Sequence, residues 1–216
     1  HSNKERMYRI NYDVMMGDKQ VLSPSVPVFV APQLKNQFPE IEDATRFSSE
    51  WRPRTSRHGE IMFDEPGFCY ADPNFFKVLD FKAVQGDLST ALSRPNTLVI
   101  TEKMAQKYFG NASPLGERLN FNNKKDFEIT AVVDVPDNSH FSFNFLTSHY
   151  SLDDFAATEN NVEWNNPNYT TWLLLRPGTD PAALAAKIEK WVNPEVDPDQ
   201  NTLHLPLESL TAVHFN

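Results

Sequence analysis

The chain opens on a period of two. In MYRINYDV, Tyr8, Ile10, Tyr12 and Val14 share one face and Arg9, Asn11 and Asp13 the other, the pattern of one half-buried strand. After a turn at Gly17 and Asp18 the spacing becomes helical in VAPQLKNQF, where Leu34 and Phe38 lie four apart, Pro32 sits in the first turn and Pro39 stops the helix. IEDATRFSSEW then reads as a strand, and EIMFDEPGFCYAD as a longer extended piece interrupted at Pro66 and Gly67, which suits an edge or a bulge. Asp72 and Pro73 form an N-cap and first-turn pair for a short helix burying Phe75, Phe76 and Leu79.

From Gln85 the texture changes. Gly86, Asp87 and the cluster Ser93–Asn96 precede a strand TLVI and a helix TEKMAQKYFG, with Thr101 as cap, Ala105, Tyr108 and Phe109 as stripe, and Gly110 as terminator. SPLG at 113–116 turns the chain into ERLNF, and Asn122–Asn123 turns it again into FEITAVV, whose Phe127, Ile129, Ala131 and Val133 alternate. HFSFNFL predicts a strand with Phe141, Phe143 and Phe145 on one face. YTTWLLLR follows, then a helix opened by Asp180 and Pro181, striped by Leu184, Ile188 and Trp191 and ended by Pro194. TLHLPL, alternating Leu203, Leu205 and Leu207, is a last strand before LTAVHF. The two arms share a strand–helix–strand rhythm, so the fold class is α+β: a body of two βαβ-like halves, residues 5–84 and 136–216, with a smaller α+β subdomain, residues 85–135, inserted.

Composition narrows the functions. A net charge of -9 with no dense Lys/Arg stripe repels phosphate backbones, so nucleic acid is not an expected partner. The 16 Pro against 7 Gly predict many short elements joined by stiff loops. The single cysteine, Cys69, permits no internal disulfide and no CxxC motif, and its apolar neighbours suit a buried thiol. The apolar runs VPVFVAP and TWLLL fall well short of the ~18 residues of a membrane span. A start at His1, without initiator methionine or leader, reads as an excised segment whose anchor lies elsewhere.

Chemical motifs do not assemble. His1, His58, His140, His149, His204 and His214 are scattered without ligand spacing, so no metal or other cofactor is expected. There is no GxSxG elbow and no phosphate-cradling glycine loop followed by Lys-Ser or Lys-Thr. A carboxylate pair drawn from Asp64, Glu65, Asp72, Asp153, Asp154 and Glu163 would make a hydrolase if two converged in space. Trp51, Trp164 and Tyr169 would serve a secreted carbohydrate- or peptide-binding module if they lined one groove. Neither arrangement is encoded locally, and no catalytic residue is expected.

Taken in order, YRINYD, FPEIEDATRF, ADPNFFKVLDF, PNTLVITEKMAQKYFG, PLGERL, ITAVVDVPDNSHFSFNFL, LLLRPGTDP and LTAVHF resemble the MacB-like periplasmic core domain of FtsX/MacB/LolC-type ABC transporter permeases, in the form common in Bacteroidetes. The resemblance implies a porter-like body with a Sabre-like inserted subdomain, placed between two transmembrane helices of its own full-length chain on the periplasmic side of the bacterial inner membrane. It also implies a non-catalytic module of efflux or lipoprotein handling that relays ATP-driven movement. The implied partners are a cytoplasmic ABC ATPase subunit or domain, a second copy in a homo- or pseudo-dimer, and a periplasmic adaptor or lipoprotein. Arg6 and Tyr8 at one end, and His214 and Phe215 at the other, would then be membrane-proximal.

Overall fold

The structure, a computed structural model, describes residues 3–16, 18–136, 139, 141–160, 162–196 and 203–213. Along the chain, β1 (Met7–Ile10) and β2 (Tyr12–Met16) occupy the first alternating stretch, and β3 (Lys19–Ser23) returns on β2 as a hairpin. Helix α1 (Val30–Gln37) carries Pro32 in its first turn and buries Leu34, and β4 spans Ile41–Ser49. A second hairpin, β5 (Arg54–His58) and β6 (Ile61–Glu65), precedes β7 (Phe68–Ala71), α2 (Phe75–Val78) and β8 (Lys82–Gly86). Then come β9 (Thr97–Thr101), α3 (Glu102–Phe109), β10 (Arg118–Phe121), β11 (Lys125–Asp134) and β12 (Phe145–Ser148). The last elements are the one-turn helix α4 (Phe155–Glu159), β13 (Thr170–Leu175), α5 (Pro181–Val196), β14 (Leu203–His204) and β15 (Leu207–Ser209).

The chain divides into two compact units, residues 1–46 with 157–216, and residues 47–156. In the first, strands lie in the order β15–β1–β13–β4, and a separate three-stranded sheet runs β14–β2–β3. Its core packs Ile10, Tyr12, Leu34 and Ile41 against Leu173, Leu184, Ile188 and Leu203. In the second, Phe47–Ser49 of β4 pair with β7, followed by β12, β9, β11, β10, β5 and β6. Residues Lys125–Glu128 of β11 face β10, while Ala131–Asp134 face β8. Phe68 centres this core, with the rings of Phe121, Phe127 and Phe145 at 4.7, 5.5 and 6.4 Å.

The compact division falls at 46/47 and 156/157, while the sequence texture changes at Gln85. The reason is in the ladders: β9 pairs with β12, and β10 pairs with β5, so residues 85–135 share sheet and core with the strands that flank them in sequence. Other expectations shift by an element. MYRINYDV is two strands broken at Asn11, and TLHLPL is likewise two, broken between β14 and β15 at Pro206. The two breaks face each other, the Asn11 amide donating to the Pro206 carbonyl at 3.0 Å. Helix α2 begins at Phe75 rather than at Pro73, because Pro73 and Asn74 complete a turn in which the Phe75 amide donates to the Asp72 carbonyl. Phe141 and Phe143 precede β12 and pack with Phe47 and Phe81, whereas Phe145 joins Phe68, so the three rings do not share one strand face. Helix α5 continues past Pro194 to Val196, since a proline near a helix end removes only one backbone donor.

Local rules did hold elsewhere. The Thr101 hydroxyl accepts from the Met104 amide at 3.4 Å, and the Asp180 carboxylate accepts from Ala182 at 2.9 Å. Asn122 and Asn123, at φ 56° and 54°, make the β10–β11 turn. Gly86 is required: at φ +79°, a Cβ there would lie 2.4 Å from the Thr130 carbonyl oxygen and 2.9 Å from Ala131 Cα.

Two expectations follow from this geometry. Gly86→Ala should cost about 3 kcal/mol by left-handed strain plus overlap, whereas Gly116→Ala, where nothing lies within 4 Å, should cost only the strain, about 1 kcal/mol; urea unfolding of both variants reads the difference. Backbone bonds join Leu210 to Met7 and Asn11 to Pro206, which makes Tyr8 and Ser209 a non-hydrogen-bonded antiparallel pair with Cα atoms about 4.5 Å apart. Tyr8→Cys with Ser209→Cys should therefore oxidise within one chain, seen as faster migration on a non-reducing gel.

Candidate functional site

The two ends of the described chain meet. β1 lies between β13 and β15, with Tyr8 opposite Ser209, Arg9 opposite Glu208 and Ile10 opposite Leu207, and the Leu210 amide donates to the Met7 carbonyl at 2.9 Å. Met7, Ile10 and Leu210 are buried along this seam, and Tyr8 packs against the first unit's core. Polar side chains tie down its flanks. Arg6, in the 3-10 turn that enters β1, donates to Glu42 at 2.7 Å, to the Leu175 carbonyl at 2.6 Å and to Asn3 at 2.8 Å. Glu208 accepts from Arg9 at 2.7 Å and from Asn11 at 2.9 Å. Past β15 the chain turns back, with the Ala212 amide on the Ser209 carbonyl at 2.9 Å.

Of the four residues expected at the ends, Arg6 and Tyr8 stand on this seam, and His214 and Phe215 lie outside the described residues. Their neighbours Glu42, Glu208 and Leu210 carried no sequence motif. The alternation of Leu207 and Ser209 after Pro206 was the available signal, hidden by reading TLHLPL as one strand.

Three of the candidate carboxylates, Asp64, Glu65 and Asp153, are engaged with separate partners. Asp64 accepts from the Thr55 hydroxyl at 2.7 Å, and Asp153 from Lys125 at 2.6 Å, which holds its carboxyl below the usual range. Glu65, only 4% exposed, accepts from Lys107 at 2.6 Å and from Tyr108 at 3.0 Å. Burial and the Glu65 charge push the Tyr108 hydroxyl up, outweighing its bond to Ser56. Asp72 is buried just ahead of α2 in the chain, and Asp154 and Glu163 are exposed. Among the described residues no group of three or more His, Cys, Asp or Glu side chains is placed to hold a metal ion.

The aromatic candidates separate as well. Tyr169 is buried, and Trp164 sits edge-on to Phe29 at 4.9 Å and beside Trp191 at 6.2 Å, so two of the three rings are used in packing, while Trp51 is 98% exposed. A cavity of about 430 Å³ in the second unit is lined by Thr101, Glu102, Lys103, Asp134, Phe143 and Asn144 among others, a mixture without a convergent donor set. No described helix is long and apolar enough to cross a membrane.

Cys69 is buried in β7, and desolvation, reinforced by the Glu50 charge, pushes its thiol up to about 12. It should resist a thiol reagent in the folded protein and react after urea unfolding. The unfolded thiol ionises near pH 8.5, so above that value the folded state holds a proton that the unfolded state has lost, and stability falls as pH rises. The hydroxyls of Tyr12, Tyr70 and Tyr108, raised chiefly by burial, extend the fall above about pH 10. Urea midpoints should thus drop between about pH 8 and pH 11, and Cys69→Ala should flatten the first part of the drop.

Three solved structures share this fold. A domain described as that of a permease protein from Porphyromonas gingivalis superposes with a TM-score of 0.79 at 23% identity, covering 96% of this chain and 90% of that one. The periplasmic region of MacB from Actinobacillus actinomycetemcomitans gives 0.65 at 14% identity, covering 97% and 91%. The extracellular domain of the noncanonic ABC-type transporter YknZ from Gram-positive bacteria gives 0.61 at 15% identity, covering 92% and 99%. At these identities the structures speak for the fold. No curated protein matches the chain. The family whose description matches residues 1–191 is the MacB-like periplasmic core domain, and it is to this family that the chain belongs.

Proposed function

We propose that this domain is a non-catalytic relay in an ABC-type permease of efflux or lipoprotein handling, held at both ends by transmembrane helices on the periplasmic side of the bacterial inner membrane. The observation that carries the reading is the β1–β15 seam: chain entering at Met7 and leaving at Leu210 does so side by side, as insertion between two neighbouring membrane helices demands. In this reading Arg6, Tyr8, His214 and Phe215 are the membrane-proximal contacts. A cytoplasmic ABC ATPase supplies the work, two such domains move as a homo- or pseudo-dimer, and residues 85–135 form the Sabre-like part that meets a periplasmic adaptor or lipoprotein.

A stiff seam transmits displacement only if the joints to the membrane helices are stiff too. Spin labels at Trp51→Cys in the two permease copies of the full-length transporter should report a nucleotide-dependent distance change, since Trp51 is exposed and the buried Cys69 escapes labelling. A flexible Gly-Ser insertion before Lys4 and after Val213 should abolish that change while ATP hydrolysis and the domain's melting stay as they were. Distances that ignore nucleotide in the unaltered transporter, or that still respond through the flexible joints, would refute the relay.

A further inference from the structure

The second unit's strand order ends on β6, and among the described residues no strand pairs with its other side. An open edge is a row of unused backbone donors and acceptors, and natural proteins usually guard it with a central charge, a proline, a bulge or brevity. In β6 charge is confined to the C-terminal end, at Asp64 and Glu65, and neither proline nor bulge interrupts it. Ile61, Met62 and Phe63 are consecutive and 39%, 54% and 40% exposed, and the register with β5 runs from Arg54 opposite Glu65 to His58 opposite Ile61 without a shift. By contrast β15 has three residues, one of them Glu208, and β3 starts on Lys19 and Gln20.

The edge is also pre-organised. Phe63 stands edge-on to the Tyr108 ring at 5.7 Å with the Lys107 ammonium over its face at 3.9 Å, and Glu65 is fixed by both of those residues. On the opposite face Thr55 holds Asp64. A strand fixed from both faces loses little entropy when another strand is laid beside it.

We propose that β6 is a docking edge that receives an extended segment of a partner polypeptide as an added antiparallel strand, with apolar residues beside Ile61–Phe63 and basic residues opposite Glu60 and Asp64. Charge selects this occupant over a second copy of the chain. Antiparallel self-pairing centred on Met62 sets Glu60 against Asp64 twice, and centring on Phe63 sets Met62 against Asp64 and Ile61 against Glu65, so each register opposes like charges or an acid to an apolar side chain. A chain of net charge -9 gains from a basic strand and not from its own image. The proposal rests on the edge alone, lies outside residues 85–135, and is independent of the relay reading.

The test uses this chain and three short synthetic peptides: the basic strand KVTVTVK, its acidic counterpart EVTVTVE, and KVTVTVK with alternate backbone amides N-methylated. Fluorescence anisotropy should show the basic peptide binding at least about tenfold tighter than either control, and hydrogen exchange should slow at the β6 amides directed away from β5. Ile61→Lys with Met62→Lys, exposed positions whose replacement should leave melting unchanged, should weaken binding about tenfold. The idea is overturned by equal binding of the N-methylated peptide, by protection confined to other strands, by self-association of the chain through β6 in sedimentation, or by no binding at about 1 mM.

Discussion

The hydrogen bond from the Leu210 amide to the Met7 carbonyl belongs to a ladder on which the first unit depends. It joins segments far apart in the chain, as the Arg9–Glu208 pair, 199 residues apart, makes plain. Closing so long a loop costs on the order of 5 kcal/mol by length scaling. The ion pair, partly exposed on both sides, offsets at most about 1 kcal/mol of that. Burying Met7, Ile10 and Leu210 contributes roughly 1.5–3 kcal/mol each. Apolar burial, not charge, therefore holds the ends together.

That seam is one half of a ribbon that changes sheet. Asn11 and Pro206 interrupt two antiparallel segments at the same level: on one side of the break β1 and β15 pair, on the other β2 and β14. Pro206 has no amide to donate, so the break costs the ladder little at that residue, while its carbonyl still accepts from Asn11. One bent ribbon thus serves the β15–β1–β13–β4 sheet and the three-stranded sheet, and Tyr12 and Leu203 carry the core onward past the bend.

What the sequence disclosed follows from whether its signal was local. Capping at Thr101 and Asp180, the Asn122–Asn123 turn and the period of β11 are short-range chemistry, and each stands where the pattern put it. β3 and β5 were missed for a physical reason: KQVLS is almost wholly exposed and RTSRH is polar throughout with only Ser56 buried, so neither shows the apolar-in, polar-out alternation by which strands are recognised, whereas IMFDE was legible as extended edge. The Phe141–Phe143–Phe145 alternation misled because burial alone does not make a ladder: all three rings are buried, but in two different clusters. Composition changes at Gln85, while the strand pairing that decides compactness crosses that point at β9–β12 and β5–β10, so a change of texture and a division by contacts fall at different places.

The candidate site was half legible for the same cause. Arg6 and Tyr8 could be named from resemblance, but the feature beside which they stand is a backbone pairing, and backbone groups leave no residue signature. The polar side chains that sequence could single out are instead engaged with one another. Glu65 is held by Lys107 and Tyr108, and Glu50 by Arg54 and Tyr70, with the Arg54 guanidinium 4.2 Å from the Phe68 ring. A carboxylate so satisfied, buried at Glu65 and partly buried at Glu50, is poor at exchanging protons with a substrate, whereas it is well suited to fixing one element against another. Rigidity of this kind is what the proposed relay would require, and the residues with the strongest chemical character lie where they stiffen the fold.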